Sequence, residues 1–457
     1  MIQSAWIRAV NLLLSMAALF AGMVLVYVIT RGDQLLVSPA KFGLFVGTPV
    51  ALLTLAMGLR LTRPEVRALW TVMLVAIGAG VYAAELYFVV DKFSATPGFS
   101  APKTEEPSND ARSPWEVIRD MRAEGARAVP AIVPEYLLKT TVSGELRSPI
   151  RISGSEVLPL SGVANRPTVL CNEAGYYVSY DSDDHGFNNP PGMWKVGKAD
   201  IVALGDSFVH GYCVNGARNF ISLIRDHYPT TVNLGTSGAG PLIALASLME
   251  FGPLLRPRKV LWFFFEGNDI PSNLEVESRA PLLMRYLETG KTQNLVERRD
   301  AVMAALSDHV ETIVATKKSG TASDAGTLQH IISFIGLAEL RARLGMPTTL
   351  DQPDFDLFRQ ILETAQSVVA GWGGDLVFVY LPTWSSVAEE GEDKAYSAIR
   401  EPVQKIVSEL GIPLIDVYQS FRRHPNPRDL FPNPSAHYGD LGHARVADEV
   451  LRHLDGS

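Results

Sequence analysis

The chain opens on three long apolar runs, Ala9 to Thr30, Phe42 to Leu59 and Ala68 to Val90, with short polar stretches between them. Each approaches the ~20 residues that an α-helix needs to cross the hydrocarbon core of a bilayer. Three transmembrane helices are therefore expected over residues 1–91, with the lipid bilayer as a partner. A cleaved signal peptide is the other reading of the first run, but its length and the two runs behind it favour a retained span. Arg8 precedes the first run, and Arg60, Arg63 and Arg67 fill the turn between the second and third. Arg31, Lys41, Lys92 and Lys103 stand on the opposite side. That bias puts the N-terminus in the cytoplasm and, after three crossings, everything beyond Val90 outside it. Glu85, near the outer end of the third run, is expected to find a partner or reach the interface rather than to carry protons.

Residues 92–114 are rich in Pro, Ser, Thr and charge and read as a tether. Ser113 then stands as the N-cap of a helix that Pro114 begins. From about residue 195 the pattern changes again. Short apolar runs, Ile201–Leu204, Thr231–Leu234, Val260–Phe265, Leu376–Tyr380 and Pro413–Val417, alternate with helical patterns. Apolar strands separated by helices predict a parallel sheet covered on both faces, a doubly wound, flavodoxin-like α/β domain over residues 115–457. Its lead-in spans 115–197. A long stretch, about 274–353, interrupts it with helical patterns at Pro281–Leu287 and Thr327–Leu344. Because this stretch starts just after Asn268, it is expected at the active-site edge, as a lid or acceptor site.

Ligands in such sheets bind at the carboxyl ends of the strands. Those positions hold Gly205-Asp206-Ser207-Phe208, Gly235-Thr236-Ser237-Gly238-Ala239-Gly240 and Glu266-Gly267-Asn268-Asp269. His437 lies after the last strand, ahead of a terminal helix whose Val446, Ala447, Val450, Leu451 and Leu454 share one face. A serine on a strand-to-helix turn is exposed for attack. The Gly238 N–H and the Asn268 amide can donate to an oxyanion, and His437 can take the serine proton. His443 reads as structural, and His185 and His210 have no evident partner.

Composition narrows the field. Of 457 residues 47% are hydrophobic and 20% charged, and the mean hydropathy of +0.10 fits a chain with membrane segments. A net charge of −8 without a basic stripe argues against a nucleic-acid partner. The only two cysteines, Cys171 and Cys213, form no metal-ligand motif. No metal or cofactor is expected, and outside the cytoplasm the two should form a disulfide.

The four blocks, in this order, resemble those of the SGNH/GDSL hydrolase superfamily. Gly205-Asp206-Ser207-Phe208 is similar to its first block, Asn233-Leu234-Gly235-Thr236-Ser237-Gly238 to its second and Gly267-Asn268-Asp269 to its third. His437, five residues before Gly442, sits where the family's catalytic histidine precedes its helix. The stretches Cys171–Gly175 and His185–Pro190 are similar to the lead-in of bacterial membrane-anchored members. The resemblance implies a nucleophile at Ser207, oxyanion donors at Gly238 and Asn268, and a base at His437. Two positions depart from the pattern: Glu266 replaces a glycine, and Pro434 stands where the family's acid usually lies. Asp429 or Asn433 could serve as the acid, or a backbone carbonyl could orient His437 in a Ser-His dyad. The implied activity is that of an esterase or O-acyltransferase acting through an acyl-serine on oxygen esters, and placement outside the cytoplasm suggests an envelope glycan or lipid as the substrate. The alternative is a catalytically inactive envelope protein that binds glycan or scaffolds a polysaccharide machine.

Overall fold

The computed structural model describes residues 2–35, 46–94, 110–141, 143–173, 175–195, 197–288, 290–317, 334, 337, 340, 353–388, 394–431 and 437–456. They form two compact units, residues 1–98 with 323–352, and 99–322 with 353–457.

The first unit contains helices Ile2–Leu35, Thr48–Arg60 and Pro64–Ser94. Two of them are long and apolar enough to cross a membrane, over Trp6–Val26 with hydropathy 2.3 and Pro64–Val89 with hydropathy 1.9. The expected third span is corrected here. The run from Phe42 to Leu59 yields a described helix of 13 residues. At ~1.5 Å per residue it falls short of the ~30 Å hydrocarbon core. Arg67 donates to Asn11 Oδ1 at 2.7 Å and to the carbonyls of Arg60 and Thr62, so the arginine-rich turn lies level with the start of the first helix. Glu85 is buried and accepts the Leu340 N–H at 2.7 Å.

The second unit is built on a five-stranded sheet. We label its strands β1 (Ile201–Leu204), β2 (Thr231–Asn233), β3 (Lys259–Phe265), β4 (Asp375–Leu381) and β5 (Leu414–Asp416). All neighbours are parallel and the spatial order is β5-β4-β3-β1-β2. This is the doubly wound arrangement expected from the sequence, with β1 and β3 flanking the switch point where ligands bind. Alternation along each strand feeds two cores. Val202, Leu204, Val260, Trp262 and Phe264 point into one, with helix Pro241–Leu255. Ile201, Ala203, Leu261 and Phe263 point into the other, with helices Phe220–His227 and Asp440–Asp455. Full burial of a large apolar side chain contributes about 1.5–3 kcal/mol. These two layers thus dominate the stability of the unit.

The lead-in folds against the edge of that sheet. Ser113 caps helix Pro114–Ala123 through a capping box with Glu116, as its position before Pro114 predicts. Buried Asp183 accepts from the N–H groups of His185 and Phe187, from Asn189 Nδ2 and from Trp194 Nε1. That clamp presents Asn189 to the outer edge of β2. Its Oδ1 accepts the Asn233 N–H at 2.7 Å and its Nδ2 donates to the Asn233 carbonyl at 2.9 Å. One amide side chain thus satisfies backbone groups that an edge strand leaves open. The expected disulfide joins Cys171, at the end of strand Pro167–Cys171, to Cys213.

The insertion leaves the sheet after β3 as a π-helical turn, Asp269–Leu274, followed by helices Glu275–Ser278, Pro281–Met284 and Arg299–Lys317. Glu277 turns back to accept the N–H groups of Gly240, Leu242 and Ile243, closing the start of helix Pro241–Leu255. The helix expected over Thr327–Leu344 lies outside the described residues, except for single positions within it.

Candidate active site

Gly205 follows β1 with φ +156°, where a Cβ would come within 2.6 Å of Val209 and 3.0 Å of the Phe263 carbonyl. Only glycine lets the chain turn that sharply and start the short helix Ser207–His210 at the carboxyl edge. Ser207 Oγ lies 2.7 Å from His437 Nε2. The ring of His437 is flanked by Tyr212 and Phe208, at centroid distances of 4.6 and 4.7 Å.

His437 Nδ1 lies 3.0 Å from both carboxylate oxygens of Glu173, and the His437 backbone N–H donates to Oε2 at 3.0 Å. A carboxylate at Nδ1 fixes the proton there and leaves Nε2 as an acceptor for the serine proton. Burial raises the Glu173 carboxyl, but its hydrogen bonds to His437 and the charge of His437 outweigh this and hold it below the ordinary value. An ionised carboxylate therefore lies behind the His437 ring.

Asp429 is not the group at Nδ1. It lies in the turn Pro427–Leu430, and its Oδ1 accepts from Asn426 Nδ2 at 2.8 Å. Asn433 and Pro434 lie outside the described residues. Sequence spacing missed Glu173 because the acid comes from the lead-in, 264 residues before the histidine. The available signal was the cysteine pair, since Glu173 follows Cys171 by two positions and Cys213 follows Ser207 by six.

Of the donors that the resemblance implies, Asn268 is brought next to Ser207 through Asp206. Among the described residues, no backbone acceptor takes the N–H of Ser207 or Gly238. Gly238 has φ +76°, and a Cβ there would lie 3.0 Å from Pro134 Cδ. Asn268 Nδ2 donates to Asp206 Oδ2 at 3.0 Å, and the same oxygen lies 3.5 Å from Ser207 Oγ. The amide group therefore presents its NH₂ end beside Ser207, with a second N–H left for a substrate oxygen. Burial raises the Asp206 carboxyl, opposed by bonds from Asn268 and the Phe208 N–H. Burial and the charge of Asp206 push Asp269 well above its ordinary value.

Three residues set aside in the sequence have structural roles. The ring of His210 accepts the Ser237 N–H at Nδ1, 3.1 Å away, and meets Tyr180 Oη at 2.7 Å through Nε2. It thereby holds the loop that carries Gly238. His443 Nδ1 accepts the Phe220 N–H at 3.1 Å. Glu266 accepts from Tyr380 Oη, Ser386 Oγ and both donors of Thr383, tying β3 to the loop after β4. Among the described residues, no group of three His, Cys, Asp or Glu side chains could hold a metal ion.

Beside the Gly238 loop lies a small, mainly apolar hollow, open to solvent. Its walls include Ile132, Pro134, Leu137, Leu160, Thr236 and Ile243.

No family model matches the chain, and no curated protein matches it. It is similar to a lipase/acylhydrolase from Enterococcus faecalis, at 13% identity and a TM-score of 0.32, over 56% of this chain and 95% of that one. It is also similar to an acetyl xylan esterase, AlAXEase, at 12% identity and a TM-score of 0.31, over 56% of this chain and 98% of that one. A member of the lipolytic protein G-D-S-L family from Veillonella parvula gives 13% identity and a TM-score of 0.31, over 55% of this chain and 96% of that one.

Proposed function

We propose that the chain is a membrane-anchored serine esterase or O-acyltransferase of the SGNH/GDSL type, working through an acyl-serine. The observation that carries this reading is the relay of Ser207 Oγ, His437 and Glu173, with separations of 2.7 and 3.0 Å. His437 Nε2 takes the Ser207 proton as Oγ attacks the ester carbonyl. The N–H groups of Ser207 and Gly238 and the Asn268 amide stabilise the oxyanion. Protonated His437 then gives its proton to the leaving alcohol, and the acyl group remains on Oγ. Water or a hydroxyl acceptor, deprotonated by His437, attacks that ester and releases Ser207. The acyl chain is assigned to the apolar pocket beside Thr236.

Two long apolar N-terminal helices support membrane anchoring. The Cys171–Cys213 bridge supports a site outside the cytoplasm. That placement points to esters on envelope glycans or lipids. The inactive-scaffold alternative drew on the absence of an acid before His437, and the position of Glu173 favours the catalytic reading over it.

The test is turnover of p-nitrophenyl acetate by the detergent-solubilised full chain, against Ser207→Ala, in water and with added oligosaccharide acceptors. Loss of turnover in the variant is expected, and acylated oligosaccharide would identify a transferase. Equal turnover by both proteins would remove the proposal.

A further inference from the structure

Glu173 lies on none of the five strands that carry the other groups. It stands in the connection between strands Pro167–Cys171 and Val178–Asp181, whose pairing shifts register between Val169 and Cys171. Hydrogen bonds tie this connection to the chain at Asp110: Asn172 Nδ2 donates to the Asp110 carbonyl at 2.6 Å, and the Asp110 N–H donates to the Gly175 carbonyl at 2.9 Å. Neither bond reaches the sheet that bears Ser207.

Strand Val178–Asp181 reaches the nucleophile's helix through Tyr180 Oη at His210 Nε2, 2.7 Å away, and the connection itself is joined to it covalently. Cys171 is bonded to Cys213, and the Glu173 N–H points at Cys213 Sγ from 3.1 Å. Cys213 follows the nucleophile's own helix directly, in a turn where the Tyr212 N–H donates to the Ser207 carbonyl at 2.9 Å. Its backbone is left-handed, with φ +61°. One anchor thus lies two residues from the acid and six from the nucleophile.

The ion pair itself is a weak tether. Its side chains are 31% exposed at Glu173 and 21% at His437, and pairs that water reaches hold little by themselves. Bringing together loops 264 residues apart also carries an entropy of closure. The bridge does not shorten that loop much, but it fixes the Glu173 segment against the turn that follows the nucleophile's helix.

Resting on the reading of Ser207 as an acyl-enzyme nucleophile, we propose that the Cys171–Cys213 disulfide is a positioning element of the triad. It holds the Glu173 carboxylate on His437, and full kcat requires the closed bridge.

The experiment uses the detergent-solubilised full chain and p-nitrophenyl acetate. kcat is expressed per serine titrated to completion with a fluorophosphonate, so that unfolded protein is not counted. Wild type, Glu173→Gln, Cys171→Ser/Cys213→Ser and the triple variant are compared. Removing the bridge is expected to lower kcat by about 10²-fold or more, as loss of an orienting acid does, with KM little changed. The triple variant should be no slower than Glu173→Gln alone. A bridge-free variant with wild-type kcat per titrated serine would overturn the proposal, as would losses that multiply in the triple variant.

If the serine variant does not fold, reduction of the native protein decides. A trialkylphosphine delivers two electrons, and two protons from solvent complete two thiols, while the phosphine takes oxygen from water to become its oxide. kcat per titrated serine should fall on reduction and recover on reoxidation by a small disulfide. A loss of titratable serine at unchanged kcat would mean that the bridge acts on stability alone, and would overturn the proposal. Wild type that neither turns over nor titrates would instead overturn the esterase reading, and this proposal with it.

Discussion

Glu173 takes two donors from His437, the ring Nδ1 and the backbone N–H, each at 3.0 Å. The two bonds fix both the tautomer and the pitch of the ring, so that Nε2 faces Ser207 Oγ at 2.7 Å. An amide in place of the carboxylate can keep one bond but not the negative charge that stabilises the imidazolium. Glu173→Gln is therefore expected to lower kcat by about 10²–10⁴-fold with a smaller change in KM. Steady-state hydrolysis of p-nitrophenyl acetate measures this, and an unchanged kcat would remove Glu173 from the mechanism.

The oxyanion donors give a second expectation. Asn268→Ala removes an N–H aimed beside Ser207 and should cost about 10²–10³-fold in kcat. Because the bond is made chiefly in the transition state, KM should change little. A rise in KM at constant kcat would show instead that Asn268 only binds the ground state.

The sheet and most of the site could be read from the chain. The five apolar runs became the five strands to within a residue or two, because fully buried parallel strands write themselves as unbroken apolar stretches. The glycines, Ser207 and Asn268 follow those strands directly, so the fold rule for strand ends located them. Glu173 was not legible, because a tertiary contact between loops has no period and no fixed spacing. The bonds of His210 to the Gly238 loop escaped for the same reason. Of the middle apolar run, the described residues include a helix of 13 residues, shorter than the run's hydrophobicity alone suggests.

Buried histidines set an acid limit on stability. Burial pushes His210 down to about 4 and His443 down to about 3 from an ordinary 6.5. The folded state therefore refuses protons that the unfolded chain accepts. Their contribution is intact above pH 6.5 and is lost as pH falls towards the folded values. His443→Asn keeps an acceptor for the Phe220 N–H but does not titrate. The stability gap between wild type and this variant should shrink by on the order of 3 kcal/mol between about pH 7 and 4. Denaturant midpoints across that range measure it, and a constant gap would contradict the assignment.

The pocket beside Thr236 makes an expectation about chain length. Ile243→Ala enlarges it where Ile243 lines the wall. A methylene in an apolar pocket is worth about 1–3 kcal/mol. The kcat/KM for p-nitrophenyl butyrate relative to acetate should rise about tenfold or more. An unchanged ratio would place the acyl chain elsewhere.

The most direct measurement is of the acyl-serine itself. Full-chain protein mixed with p-nitrophenyl acetate and quenched in acid within the first turnovers can be digested and its peptides weighed. An acetyl group on the peptide that holds Ser207 is expected, accumulating more slowly in His437→Ala and absent from Ser207→Ala. Turnover by the wild type with no acylated Ser207 at any quench time, or an equal adduct on another residue in Ser207→Ala, would contradict the account.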